Sequence, residues 1–220
     1  GAGGETPYIE TVELIESWDP ALILYAGDVY EKGSYTEFLN WYGTPGPAGT
    51  YLGRFYDITN PIVGNHEYLT LTPEKAAGYF KYWNGVPNYY SYNAAGWRFI
   101  ALNSTAEFGE IGPNKPQLQW LQNEVAANTN PCTIAYFHHP VLSVGPQEGD
   151  VVALDNIWNL LVIDGVDMTF VGHDHSYQRW KPLDANLQVS SQGITQFVVG
   201  NGGHGIQPFI AEDDRLAVGF

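Results

Sequence analysis

The chain has 220 residues, 44% of them hydrophobic, which is enough for one substantial core, and no apolar run approaches the length of a membrane-spanning helix. Nine lysines and arginines stand against 24 carboxylates, a formal charge of -15 that repels nucleic acid and other long polyanions and leaves a small substrate, or one whose charge a metal meets. The single Cys132 excludes an internal disulfide framework. We expect one soluble domain over residues 1–220, of open oligomeric state. The lysine-poor composition, with 15 Tyr and 7 Trp, suits an exported protein, extracellular or periplasmic, although no signal peptide opens the chain.

After a glycine-rich opening, Ile9, Val12, Leu14 and Ile15 among acidic residues predict a surface helix over 8–18, stopped by Asp19-Pro20. A buried strand over 21–26 follows, then a short helix over 34–41 with Ser34 as N-cap and Glu37 three residues on. Prolines and glycines make 43–53 a loop, and a short strand reaches Gly64. Thr72-Pro73 opens a helix through Trp83, and 89–93 with 97–103 alternate like a hairpin joined by Ala94-Ala95-Gly96. Helices over 116–127 and 154–163 each lead into a strand, 133–137 and 166–171. From Gln178 on, strands and turns dominate, 194–199 being the clearest strand. Helix-strand alternation with hairpins in the middle and at the end predicts an α/β sandwich with mixed sheets.

Five of the six histidines fall in three short motifs, GNHE at 64–67, HHP at 138–140 and GHDH at 172–175. Each motif follows a strand-like run, and a fourth such junction carries Asp28 behind Gly27. Open α/β sheets gather ligands outside the carboxyl ends of their strands, so Asp28, Asn65, His138 and His173 should meet there. Their oxygens and imidazole nitrogens suit Fe, Zn or Mn, and the lack of thiolates argues against a structural zinc site. With His175 and Tyr30 the candidate ligands number six, which favours two ions about 3.5–4 Å apart, bridged by Asp28. The two histidines of GHDH, two apart on an extended segment, would project to opposite sides and address different ions. Such a pair binds phosphoryl oxygens and activates a shared water, which points to hydrolysis of a phosphate ester. His66, beside Asn65, is the candidate to donate a proton to the leaving alcohol or to hold the phosphate.

Gly27-Asp28, GNHE, His138 and the run GHDHSYQR at 172–179, in that order, resemble the calcineurin-like metallophosphoesterase superfamily, and within it the purple acid phosphatase-like branch. The resemblance covers about residues 20–180. It implies a four-layer αββα sandwich and a dinuclear site bridged by Asp28, with Asn65, His138 and His173 on one ion and His175 on the other. His66 would be the outer histidine near the phosphate. The chain departs from the family's pattern in three places. No Asp-x-Gly or Asp-x-His motif precedes Asp28, Tyr30 lies two residues after the bridging aspartate instead of three, and little strand sequence follows Leu216. These departures imply a fragment truncated at both ends, whose first ion keeps Asp28, His175 and Tyr30.

Other residues admit two readings. His139 is either a partner of the ligands or a substrate contact, and Arg179 either approaches the phosphate or holds the GHDH loop through an ion pair. Glu67 is expected to orient the GNHE turn. His204, among glycines, reads as a turn residue. The function expected is dinuclear-metal-dependent hydrolysis of phosphate monoesters with a metal-activated water as nucleophile. The alternatives are a phosphodiesterase acting on a small diester and a degenerate metal-binding domain without turnover.

Overall fold

The computed structural model describes residues 6–29, 31–70, 75–109, 111–146, 154–203 and 205–220. The chain opens with α1 (Thr6–Ser17) and the short strand β1 (Ile23–Tyr25). Next comes α2 (Tyr35–Glu37), which runs directly into a π-helical turn, Phe38–Tyr42. The expected capping box is present: Ser34 N–H donates to Glu37 Oε2 at 2.8 Å, and Glu37 N–H donates to Ser34 Oγ at 3.2 Å. The loop from Gly43 is also in place, but from Tyr51 it winds into a 3-10 helix, Tyr51–Ile58. Burial of Phe55 against Val12 of α1 outweighs the breaking tendency of Gly53 there.

Strand β2 (Thr59–Pro61) pairs in parallel with β1. Helix α3 (Ala77–Tyr82) starts directly after Ala76, whose left-handed φ of 53° is not helical, and the expected opening at Thr72-Pro73 lies outside the described residues. The hairpin of β3 (Tyr90–Ala94) and β4 (Trp97–Ala101) turns on Ala95 and Gly96, both with positive φ, as a two-residue hairpin requires. Then follow α4 (Pro116–Ala127), β5 (Cys132–Phe137), α5 (Asp155–Ile163) and β6 (Met168–Val171). Strands β7 (Tyr177–Trp180), β8 (Thr195–Val199) and β9 (Leu216–Gly219) close the chain.

Seven strands form one sheet in the order β3-β4-β5-β6-β8-β7-β9. Its centre, β4-β5-β6-β8, is parallel, and its flanks are antiparallel. Residues of β5 are buried on both sides, as a central parallel strand demands. Leu118, Leu121, Ile157, Trp158 and Leu161 of α4 and α5 pack on this sheet, and Leu22, Leu24 and Ile62 bring the β1-β2 sheet into the same core. Beyond the small sheet, Tyr25, Phe38, Tyr42, Tyr79, Tyr82 and Trp83 form an aromatic core with α2 and α3. Helices, small sheet, large sheet and helices give the αββα order that the family resemblance implies. Because β1 runs parallel to β2, and β5 to β6, four carboxyl ends deliver their loops to one region.

Candidate metal centre

Behind β1, Gly27 and Asp28 both adopt left-handed φ values, 89° and 65°, and turn the chain sharply off the strand. The loop behind β2 comes so close that a Cβ on Gly27 would stand 2.6 Å from the Gly64 nitrogen, and one on Gly64 would stand 2.2 Å from Asp28 Oδ1. No larger residue fits either position. Glu67, wholly buried, ties the two loops together. Its carboxylate accepts the backbone N–H groups of Asp28 at 2.9 Å, Gly64 at 2.7 Å and Val29 at 2.6 Å. Burial and the nearby Asp28 charge push the Glu67 carboxyl up, against the opposing pull of those three N–H groups. Asp28 Oδ1 in turn accepts the His66 backbone N–H at 2.9 Å.

His138 follows β5 and is 1% exposed. Its Nδ1 lies 2.7 Å from the Ala26 carbonyl, which can only accept, so Nδ1 carries a proton and Nε2 of the neutral ring offers a lone pair. Around that Nε2 stand Asn65 Oδ1 at 2.9 Å, Asp28 Oδ2 at 3.0 Å and His173 Nδ1 at 3.2 Å. Three electron-pair donors, His138 Nε2, Asn65 Oδ1 and Asp28 Oδ2, therefore face one another with a His173 ring nitrogen beside them, an arrangement that a cation satisfies and that the metal-free chain relieves with a proton. Burial opposes charge on His138, but Asp28, with hydrogen bonds to Asp28 and to Ala26, more than offsets it and raises its pKa. Burial would likewise raise Asp28, yet the charge and hydrogen bond of His138 hold it well below the usual carboxylate range. The donor set of oxygens and imidazoles fits a divalent or transition-metal ion.

His173 also has a left-handed φ, 65°, and the GHDH segment is a succession of tight turns, with Asp174 N–H bonded to Gly172 O and Ser176 N–H to Asp174 O. This corrects the extended segment expected from sequence: turn bonding, not strand alternation, sets the directions of His173 and His175. His175 lines a cavity of about 210 Å³ together with Asp28, His138 and His173. It stands outside the tight group formed by ring nitrogens of His138, His139 and His173, which lie within 4.8 Å of one another. His66 Nδ1 donates to the Glu31 carbonyl at 2.9 Å, so its Nε2 carries a proton only in the charged ring.

Tyr30 and His204 lie outside the described residues. Arg179 is exposed between the buried Gln178 and Trp180 of β7 and makes no ion pair among the described residues. Sequence reasoning missed Ser104. Its hydroxyl accepts the backbone N–H groups of His138 at 3.1 Å and His139 at 2.9 Å, and meets His139 Nδ1 at 3.0 Å. The signal available was a polar Asn103-Ser104-Thr105 run just behind the apolar strand β4, a further strand end facing the same edge.

The pattern of the calcineurin-like phosphoesterase family matches residues 3–177. Probable purple acid phosphatase 20 of Arabidopsis thaliana is 26% identical over 213 residues, covering 88% of this chain and 48% of that protein. A 3',5'-cyclic-nucleotide phosphodiesterase of Nostoc sp. is 26% identical over 199 residues, covering 86% of this chain and 70% of that protein. The structure of purple acid phosphatase PPD1 from yellow lupin (Lupinus luteus) seeds matches with a TM-score of 0.73 at 18% identity, over 96% of this chain and 43% of that chain, a likeness of fold. The chain thus spans about half the length of the plant relative. Its αββα layers, the order of its motifs and the family match across most of its length agree, and the chain belongs to the calcineurin-like phosphoesterase family.

Proposed function

We propose that the protein is a metal-dependent phosphoric ester hydrolase that acts on small phosphate monoesters. The observation that carries this reading is the convergence of Asn65 Oδ1, Asp28 Oδ2 and His173 Nδ1 on His138 Nε2 at 2.9–3.2 Å, beside the outer His66. Asn65, His138 and His173 would hold one ion, Asp28 would be shared, and His175 would serve a second, with Fe, Zn or Mn suited to this donor set. When bound, the ions supply a Lewis acid for the phosphoryl oxygens and a water acidic enough to attack near neutral pH. Ala26 fixes which nitrogen His138 presents, and Glu67 holds the Asp28 and Asn65 loops at one separation. His66, with Nδ1 tied to the Glu31 carbonyl, donates from Nε2 to the leaving oxygen in its charged form. The strongly negative chain has no use for a polyanionic substrate, and an exported location accords with its composition.

Likeness to purple acid phosphatases favours the monoester, while the cyanobacterial relative, of which 70% is covered, keeps a small diester as the second reading. Metal content after zinc loading and dialysis, with p-nitrophenyl phosphate and its bis-ester as paired substrates, tests both. Two metals per chain and faster turnover of the monoester are expected. Preference for the bis-ester would establish the second reading, and the absence of tightly held metal would sink the dinuclear one. In addition, His66→Ala should lower kcat by about a hundredfold on an alkyl phosphate and much less on p-nitrophenyl phosphate, whose leaving group needs no proton.

A further inference from the structure

Three imidazoles crowd the β5–β6 edge, and a ring nitrogen of each lies within 4.8 Å of the other two. Distance alone would allow His138, His139 and His173 to share one ion. The hydrogen bonds of Ser104 decide otherwise. A serine oxygen has two lone pairs and one proton. Both lone pairs are used, by the His138 N–H at 3.1 Å and the His139 N–H at 2.9 Å. The contact of Ser104 Oγ with His139 Nδ1 at 3.0 Å therefore has to be made with the hydroxyl's own proton. Nδ1 is then the acceptor, the ring is neutral, and its one N–H is at Nε2. A nitrogen that carries a proton offers no lone pair to a metal, and Nδ1 already spends its lone pair on Ser104.

We propose that His139 is not a third ligand but a neutral Nε2–H donor, fixed by Ser104, that hydrogen-bonds a phosphoryl oxygen of the bound ester. The inference rests on the phosphoesterase reading for its substrate and on this chain's hydrogen bonds for its chemistry. The centre has a need for such a group. The described residues lining the cavity include no lysine or arginine, and the His139 ring lies beside it against His173, 4.6 Å between ring centroids, so an N–H donor there can meet a phosphoryl oxygen turned away from the ions. His139 and His66, when neutral, are held in opposite tautomers, so His139 donates from Nε2 as a neutral ring and His66 does so only when charged. A carbonyl leaves His66 with Nδ1–H, and a hydroxyl leaves His139 with Nε2–H.

The test is long-range proton–nitrogen NMR of the histidine rings in metal-free and zinc-loaded protein, with His139 assigned by its loss in His139→Gln. The expected spectrum shows His139 with an unprotonated Nδ1 and a protonated Nε2 in both forms, and the Nε2–H resonance moves when inorganic phosphate is added. A zinc-bound Nε2, or a protonated Nδ1, overturns the proposal. These readouts need no turnover, so they stand or fall apart from the phosphoesterase reading. Zinc content separates the roles further. His139→Ala should keep the full zinc complement while inhibition by inorganic phosphate weakens by about tenfold or more, the size of a lost hydrogen bond to a charged group. Loss of zinc in His139→Ala, with the circular dichroism spectrum unchanged, would make His139 a ligand. Ser104→Ala should release the tautomer, seen as mixed protonation of Nδ1 and Nε2, and Ser104→Thr should restore it. If Ser104→Ala leaves the ring's protonation as it was, Ser104 does not fix it and the proposal falls.

Discussion

On the β1–β2 side of the centre a buried carboxylate organises the loops, and on the β5–β6 side a hydroxyl does. Glu67 gathers three backbone N–H groups from two loops that are far apart in sequence, and so sets where Asp28 and Asn65 stand. Ser104 gathers only two, from consecutive residues, and its remaining bond goes to a side chain rather than to the fold. The difference teaches what each arm has to control. The first must hold a distance between loops, which takes an anion with several acceptor sites. The second starts from a rigid central strand and must control only where a proton sits on a ring.

Glu67→Ala should strike hardest, because it leaves three buried N–H groups unpaired at about 1–3 kcal/mol each. A loss of at least about 3 kcal/mol in chemical denaturation is expected, with zinc affinity falling alongside. A loss below that of Ser104→Ala would break the contrast between the arms. Gly64→Ala comes next. Its new Cβ would meet Asp28 Oδ1 at 2.2 Å, and relief of that overlap should cost about 1–3 kcal/mol and displace a metal-facing oxygen. An unchanged zinc affinity in a folded Gly64→Ala protein would show that the loops are looser than Glu67 makes them.

The junction between the arms is the Asp28–His138 contact, and its pH dependence sharpens the comparison without any mutation. Asp28 is held low, so its share of stability is present above the ordinary carboxylate range near about 4 and is lost as pH falls through its depressed pKa. His138 is held high, so its share is present below about 6.5 and is lost as pH rises through its raised pKa. The metal-free protein should therefore be most stable between those limits and weaken on both sides. Zinc needs the unprotonated Nε2, so its stabilising effect should grow as pH rises and cancel the alkaline decline. Thermal midpoints measured across pH with and without zinc check this. Parallel curves would mean that the pair does not sit at the metal site.

Much of the fold and of this clustering was legible in the sequence because strand ends and histidine-containing motifs coincide. The runs before Gly27, Gly64, His138 and Gly172 all became strands or buried segments that bring the side chains behind them to one edge. The Ser34–Glu37 capping box was equally legible, since its bonds are local. What escaped depended on distant partners. The 3-10 helix Tyr51–Ile58 exists because Phe55 finds Val12, and Ser104 matters because β4 lies beside β5, a pairing no local pattern encodes. The GHDH turns escaped for another reason: period-two reasoning assumes a strand, whereas His173 has a left-handed backbone.

The smallest effect is expected at Arg179, which lies within the GHDHSYQR run but in neither arm. Strand alternation sends Gln178 and Trp180 inward, where Gln178 bonds Ser143 and Ser176, and leaves Arg179 in solvent. Neighbourhood in sequence and neighbourhood in the site part company at this residue. Arg179→Ala should shift stability by no more than about 0.5 kcal/mol and leave zinc content and kcat/KM unchanged within about twofold. A tenfold fall in kcat/KM with normal zinc content would place a cation beside the phosphate after all. That result would also remove the need for a neutral donor, so the same variant weighs on the role given to His139.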